Sequence, residues 1–503
     1  MLDCVHVRHS LLSNGMLSGV DCPYSEDSSH IPSDCPVCVV PSPPSSSPPR
    51  GRSLGLSLSS SSSYNQPLPV ATVPKTELRS YRITHHGLVA TMGAFLDKPK
   101  TSKESVNGEG KGIRYAMSTM QGWRVDMEDA HVAQLSMSPS GALSDWSFFA
   151  VFDGHAGSIA AEFAASNVLQ TLIETEEFKQ VEEVLKREER KELCEKTQKL
   201  LEEGLKKGFL ALDEKIKERL DSGKDRSGTT AVCAIVTPSH IVIANLGDSR
   251  AVFSRRGDNS FGTEDHKPNL DKERQRIINA GGSVMIQRIN GSLAVSRALG
   301  DFEYKTNAGL SPCRQQVSAE PDVYFIQREQ SRDEYLVLAC DGIYDVMAND
   351  EMCFFVHSRL NVHSELTKVC NQMLDACLAK GSRDNMTFLL ACFEGAPTVV
   401  EERVAEEKKT LDAIKAALAE IVEETIKNGD KRDEVCVEYV LRQLLNTRPE
   451  VIPVDGPLRL LTRSVAESVI NELCRERGVS PTPSSPSSPH PPDSDPSSGG
   501  IAA

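Results

Sequence analysis

The sequence predicts a mixed α+β fold with acidic side chains gathered along one sheet edge. Three observations carry that prediction. Apolar runs of strand length stop at aspartates: residues 146–152 at Asp153, residues 241–246 at Gly247-Asp248, and residues 335–340 at Asp341. Stripes of helical spacing alternate with these runs, as in Leu201, Leu205, Phe209, Leu212 and Ile216. Glycine directly follows Asp153 and Asp341, where it lets backbone turn closely around an ion and offer a carbonyl. Several carboxylates cannot stay ionised together in a poor dielectric without a cation. Hard divalent ions such as Mg²⁺ or Mn²⁺ relieve that repulsion and take oxygen ligands. The pattern implies a metal-dependent enzyme in preference to a binding module.

Composition divides the 503-residue chain. Residues 1–91 and 479–503 are rich in Ser and Pro and poor in core formers, which predicts disorder. Residues 92–395 read as one globular domain with a large core, and residues 396–478 as a C-terminal helical subdomain. The net charge of −15 disfavours non-specific binding to nucleic acid or an anionic membrane. Fourteen cysteines are scattered, with Cys233, Cys340 and Cys392 inside apolar runs. Packed, reduced thiols predict a cytoplasmic or nuclear protein. The N-terminus lacks a secretion-signal pattern, and no apolar run reaches the roughly 18 residues of a membrane span.

The elements follow in chain order. Cys4, Cys22 and Cys35-Pro-Val-Cys38, with His6, His9 and His30, offer zinc-type donors, but a single CxxC matches no compact finger. A disordered extension is the expectation there. Residues 146–152 predict a buried strand, and Ile159, Phe163, Leu169 and Ile173 a helix directly after it. The stripe from Leu201 to Ile216 predicts a second helix. Residues 369–378 read as helix, and residues 386–392 as a strand that begins after Asp384-Asn385. Three amphipathic helices then follow. Leu411, Ile414, Leu418 and Ile421 mark the first, with a stop at Asn428-Gly429. Cys436, Val440 and Leu444 mark the second; Leu461, Val465, Val469 and Leu473 mark the third, ended by Gly478.

The densest chemistry lies in Gly122-Trp-Arg-Val-Asp-Met-Glu-Asp-Ala-His131, which packs Arg124, Asp126, Glu128 and Asp129 together. Read as a strand, it turns Asp129 opposite to Glu128 and puts Arg124 on the Glu128 side. A lone charge cluster is ordinarily a solvated face. Asp153, Asp341 and Asp384, each at a strand end, move the reading toward a metal site.

With these residues the chain resembles a known family. The stretches 92–100, 122–131, Phe149-Ala-Val-Phe-Asp-Gly-His-Ala-Gly157, Ser227-Gly-Thr-Thr-Ala231, Gly247-Asp-Ser-Arg250, Gly281-Gly-Ser-Val284, Leu293-Ala-Val-Ser-Arg-Ala-Leu-Gly-Asp301, Leu338-Ala-Cys-Asp-Gly342 and Gly381-Ser-Arg-Asp-Asn385 resemble, in order, the motifs of the metal-dependent type 2C serine/threonine protein phosphatases. The resemblance covers residues 92–395 and continues into the helical tail of the animal alpha/beta subgroup. It implies a four-layer α-β-β-α sandwich of two antiparallel sheets with a two-metal site at one edge.

The resemblance also implies the roles. Asp153 would bridge two Mg²⁺ or Mn²⁺ ions, the Gly154 carbonyl would bind one, and Asp341 and Asp384 the other. Glu128 and Asp129 would hold metal-bound waters or a metal, and Asp248 and Asp345 would line a weaker third site. Arg124 would grip the substrate phosphate, His155 would act as general acid, and Asn385 would support the ligands. A hydroxide bridging the ions would hydrolyse phosphoserine or phosphothreonine in protein substrates. No nucleic-acid partner is implied, and a monomer is expected.

Some readings compete. Gly247-Asp248-Ser-Arg250 also suits a turn with an internal ion pair, and Arg297 suits a structural ion pair. Cys377-x₅-Arg383 has the spacing of a thiol phosphatase, in a helical context that does not suit one. A non-catalytic scaffold acting through the helical appendage is the other alternative. Tyr344 and Asp126 are small departures from the family pattern. The larger one is N-terminal: the subgroup usually begins at the equivalent of Met92-Gly93, and that glycine is often acylated. Here 91 residues precede Met92, so peripheral membrane contact through Gly93 would need an internal start; an isoform feature or a mistaken gene start would also explain the extension.

Overall fold

The computed structural model describes residues 95–188, 192–220, 225–428, 434–478 and 480–482. The N-terminal Cys/His cluster, Met92-Gly93 and the Ser/Pro tail lie outside the described residues. Eleven strands build two antiparallel sheets. They are β1 (Phe95–Gly110), β2 (Ile113–Arg124), β3 (Ala130–Gln134), β4 (Ser147–Phe152), β5 (Ala231–Val236), β6 (His240–Leu246), β7 (Arg250–Arg255), β8 (Phe261–Gly262), β9 (Asp322–Gln327), β10 (Asp333–Ala339) and β11 (Met386–Cys392). One sheet has the order β1-β2-β11-β10-β7-β8, the other β9-β6-β5-β4-β3.

β4, β5, β10 and β11 are buried along their whole length. Both faces are covered, which is why their sequences are mostly apolar without alternation; Ser147, Asp333, Glu334 and Thr387 are the polar exceptions. Phe149, Val151, Val232, Ala234, Leu336, Leu338 and Leu389 point into the space between the sheets. Their neighbours point outward. Phe148, Ala150 and Phe152 meet α1 (Ile159–Glu174), α2 (Glu176–Glu188) and α3 (Glu195–Leu220). Val337, Ala339, Phe388 and Leu390 belong to a core shared with α6 (Asn349–Leu360) and α7 (Leu366–Ala379). The result is the four-layer α-β-β-α sandwich. Each fully buried Leu, Val or Phe in these layers contributes about 1.5–3 kcal/mol.

Two local expectations are corrected. α1 buries Ala160, Ala161, Ala164, Val168 and Leu172, while Ile159 is exposed and Phe163, Leu169 and Ile173 are only partly covered. Small alanines face the sheet because α1 lies close to it, and the bulkier residues flank that contact. Residues 125–129 are not a strand: β2 ends at Arg124 and the chain bends before β3.

Between β8 and β9 the chain forms a small lobe containing α4 (Asp271–Asn279), with its own core of Ile277, Ile289, Val295, Ala298, Tyr304 and Val317. A short α5 (Asp341–Tyr344) follows β10. At the C-terminus α8 (Glu401–Asn428), α9 (Val437–Thr447) and α10 (Pro457–Glu476) share a separate core including Leu418, Leu444 and Ile470. They meet the sandwich through Leu461 and a buried Arg359–Glu407 ion pair of 2.7 Å. Among the described residues, no helix is long and apolar enough to cross a membrane.

Candidate active site

Strand register gathers the acids. Ala130 pairs with Phe152, which sets Asp129 beside Asp153. Ala339 pairs with Phe388 and Arg250, so Asp341 lies near the residues before β11 and those before β7. Met120 pairs with Met386, which brings the end of β2 to Asp384. Glu128, Asp129, Asp153, Asp248, Asp341 and Asp384 therefore converge at one edge of the sandwich.

Two glycines permit the convergence by their lack of a side chain. A Cβ on Gly154 would fall on the Glu128 carbonyl oxygen, and one on Gly342 on the Asn385 carbonyl oxygen. The sequence suggests tight turns around an ion; the structure shows a close crossing of two backbones at each glycine.

Asn385 is the clip of the site. Its Nδ2 donates to the carbonyls of Gln121 (2.9 Å) and Asp126 (3.0 Å), and its Oδ1 accepts the Glu128 N–H at 2.9 Å. Those bonds hold the bend after β2. Glu128 Oε1 in turn accepts the Gly157 N–H at 2.9 Å. Arg124 Nη2 donates to Asp384 Oδ2 at 2.6 Å. Asp129 Oδ2 accepts from the Thr387 hydroxyl at 2.6 Å, while its Oδ1 is buried without a partner.

The electrostatics match this crowding. Burial, then the charges of Asp341, Asp129, Asp248 and Asp384, push the Asp153 carboxyl well above its ordinary range. Burial, then Asp248, Asp384 and Asp345, does the same to Asp341. Burial pushes Asp129 up to about 7, and it raises Glu128 and Asp345 as well. Carboxyls so placed favour ionisation only with a nearby cation. A donor set dominated by carboxylate oxygens, one of them buried without a hydrogen bond, fits a hard divalent ion.

His155 lies partly buried beside the cluster. Burial works against its charge, but the buried Asp301, 2.8 Å from Nε2, outweighs that and raises its pKa. Asp345 sits at the exposed C-terminal end of α5.

Several partners escaped the sequence reading. Asp301 lay inside a quoted motif but had no assigned role; only the fold brings it to His155. Thr387 and Lys267, which pairs with Asp248, carry no local signal. Cys340 also lies here: its Sγ and one oxygen each of Asp129 and Asp153 lie within 4.8 Å of one another. The proposed Asp248–Arg250 pair is absent, because Arg250 reaches Asp265 at 3.0 Å. Arg297 is a structural ion-pair residue, buried and 2.8 Å from both Glu273 and Asp322. Cys377 is buried inside α7, where burial pushes its thiol up to about 12. A thiol that holds its proton so firmly is no nucleophile at neutral pH, so the thiol-phosphatase reading fails.

Comparison with known proteins gives the family. The family described as Protein phosphatase 2C matches residues 113–386. The chain is 53% identical over 401 residues to Protein phosphatase ppm-1.A of Caenorhabditis elegans, covering 78% of this chain and 84% of that protein. It is 50% identical over 384 residues to Protein phosphatase 1B of Homo sapiens, covering 76% and 77% respectively. It is 46% identical over 390 residues to Protein phosphatase 1A of Homo sapiens, covering 76% and 96%. The family is metal-dependent, and the acidic cluster is this chain's candidate for the metal site. The chain belongs to the protein phosphatase 2C family of serine/threonine protein phosphatases, in its animal alpha/beta-like subgroup.

Proposed function

We propose that the acidic edge hydrolyses phosphoserine and phosphothreonine in protein substrates with two divalent ions, Mg²⁺ or Mn²⁺. Asp153, Asp341, Asp384 and the Gly154 carbonyl would hold them, with Glu128 and Asp129 contributing from the bend after β2. Asp248 and Asp345 would hold a weaker third. When bound, such ions supply a water acidified toward neutrality and charge to offset the phosphate. The observation that carries the reading is Asp129 Oδ1, buried without a partner among acids whose pKa values are raised.

The chain's own residues do the rest. Arg124 spends one of its five donors on Asp384, and the others match phosphate oxygens. Protonated His155 carries N–H on both ring nitrogens. Asp301 accepts the one at Nε2, which leaves Nδ1–H to protonate the departing alkoxide; such help is worth about 10²–10⁴-fold. Asn385 holds Glu128 in place. Every residue named comes from one chain, so a monomer suffices. The buried thiols of Cys233, Cys340, Cys370 and Cys392 support a reducing compartment, the cytoplasm or nucleus.

The test is hydrolysis of a phosphothreonine peptide by the full chain with Mn²⁺ and with EDTA, beside Asp341→Ala, with Mn²⁺ binding followed by calorimetry. Turnover should require Mn²⁺, and Asp341→Ala should lose both turnover and tight binding. EDTA-insensitive turnover would refute the reading. Metal binding without turnover would favour the scaffold alternative.

A further inference from the structure

We propose that Arg383 is a specificity-determining residue that reads a second anionic group on the substrate, a carboxylate or a phosphate flanking the phosphoresidue. The inference rests on the phosphatase reading above. Arg383 immediately precedes Asp384, and its side chain is exposed. The backbone on either side of it is pinned. Ser382 is buried and its hydroxyl donates to the Gly342 carbonyl at 2.7 Å. Asn385 is held by the three hydrogen bonds described above. Arg383, the first of the two residues between them, projects from this pinned rim.

The guanidinium is also oriented. Its carbon lies 5.8 Å from the centroid of the Phe95 ring. Phe95 in turn pairs with Arg124 in the β1–β2 ladder. Arg124 reaches Asp384, so two guanidinium-bearing residues flank that aspartate on one rim. A guanidinium held against a ring keeps its N–H edge for carboxylate or phosphate oxygens. Among the described residues Arg383 makes no ion pair, whereas Arg124, Arg250, Arg255 and Arg297 each have one. Lys98 and Lys100 are exposed on the adjoining part of β1. Asp97 and Asp126 are exposed there too and oppose anions, so the preference belongs to an anion on the Arg383 side.

An exposed charge-assisted contact of this kind changes kcat/KM by about two- to fivefold. It weakens with salt, because exposed charges are screened beyond about 8–10 Å at 0.1–0.15 M. The experiment uses the full chain with Mn²⁺. A phosphothreonine peptide with neutral flanks is compared with peptides carrying one glutamate at successive flanking positions, and with peptides carrying a phosphotyrosine there. The readout is the ratio of kcat/KM to that of the neutral peptide, measured for the natural chain, Arg383→Ala and Arg383→Lys. Taking the ratio within each protein cancels any change in basal rate.

The expected result is a preference of about two- to fivefold for at least one anionic position. It should lie mainly in KM, fall in Arg383→Ala to about one, and return in part with lysine. Which series shows it identifies the source, carboxylate or phosphate. No preference in the natural chain, or a preference untouched by Arg383→Ala, overturns the inference while leaving the phosphatase reading intact. Failure to turn over even the neutral peptide defeats the phosphatase reading and this inference with it.

Discussion

Asn385→Ala removes three hydrogen bonds at once, at 2.9, 2.9 and 3.0 Å. Asn385 is buried, so the Glu128 N–H and the carbonyls of Gln121 and Asp126 lose a partner that water replaces poorly. At about 0.5–1.5 kcal/mol net for each bond, the loss is roughly 2–4 kcal/mol of stability. The functional effect is separate. Glu128 is placed by this clip, and removing a partner that orients a metal ligand typically costs about 10–100-fold in affinity or activity. The assay is urea unfolding monitored by fluorescence, with Mn²⁺ titration by calorimetry on the same preparations. Asn385→Asp is the companion variant. It keeps the acceptor for the Glu128 N–H but sets oxygen against two carbonyl oxygens and adds charge beside Asp384, so it should be at least as disruptive. A stability loss below about 1 kcal/mol with unchanged Mn²⁺ affinity would refute the idea that Asn385 organises the bend.

Two further predictions address the framework. Burial alone would raise the Glu273 carboxyl, but Arg297 and Arg276 overcome it and hold it at about 2, against an ordinary 4.5. A carboxylate depressed in the folded state contributes stability above its unfolded pKa, and that contribution is lost as pH falls from about 4.5 toward 2. At about 1.4 kcal/mol per pH unit the contribution is on the order of 3 kcal/mol; Glu273→Gln should flatten that part of the stability–pH curve, which thermal melting from pH 6 to 3 reads directly. Gly154→Ala should cost about 1–3 kcal/mol, because its Cβ meets the Glu128 backbone and not a flexible side chain. It should also weaken Mn²⁺ binding by driving Asp153 and Glu128 apart, and an unchanged melting temperature and affinity would contradict the backbone-crossing account.

Much of the fold was legible because burial leaves a simple mark. Residues 146–152, 241–246, 335–340 and 386–392 are apolar but for Ser147, Asn245 and Thr387, as strands covered on both faces tend to be. The stripe from Leu201 to Ile216 faces the core as spacing demands. α1 was harder. Half of its core face is alanine, which hydrophobicity alone ranks below the Phe and Leu residues beside it. The bend at 125–129 was missed as well, since a short charged segment between strands carries no periodicity that separates strand from loop.

The sequence by itself made the residue types of the candidate site legible. Acids at the ends of apolar runs pointed to a sheet edge, and carboxylate oxygens suit hard cations. It also made the buried strands legible through their apolar runs, while the four-layer arrangement was an expectation from the family resemblance, met by the structure. Only the tertiary structure decided the partnerships: Asp301 with His155, Lys267 with Asp248, Thr387 with one oxygen of Asp129, and Asn385 across the bend. Each joins segments far apart in the chain. Side-chain pairing of that kind depends on strand register and sheet stacking, which set distances of a few ångströms that no local pattern encodes.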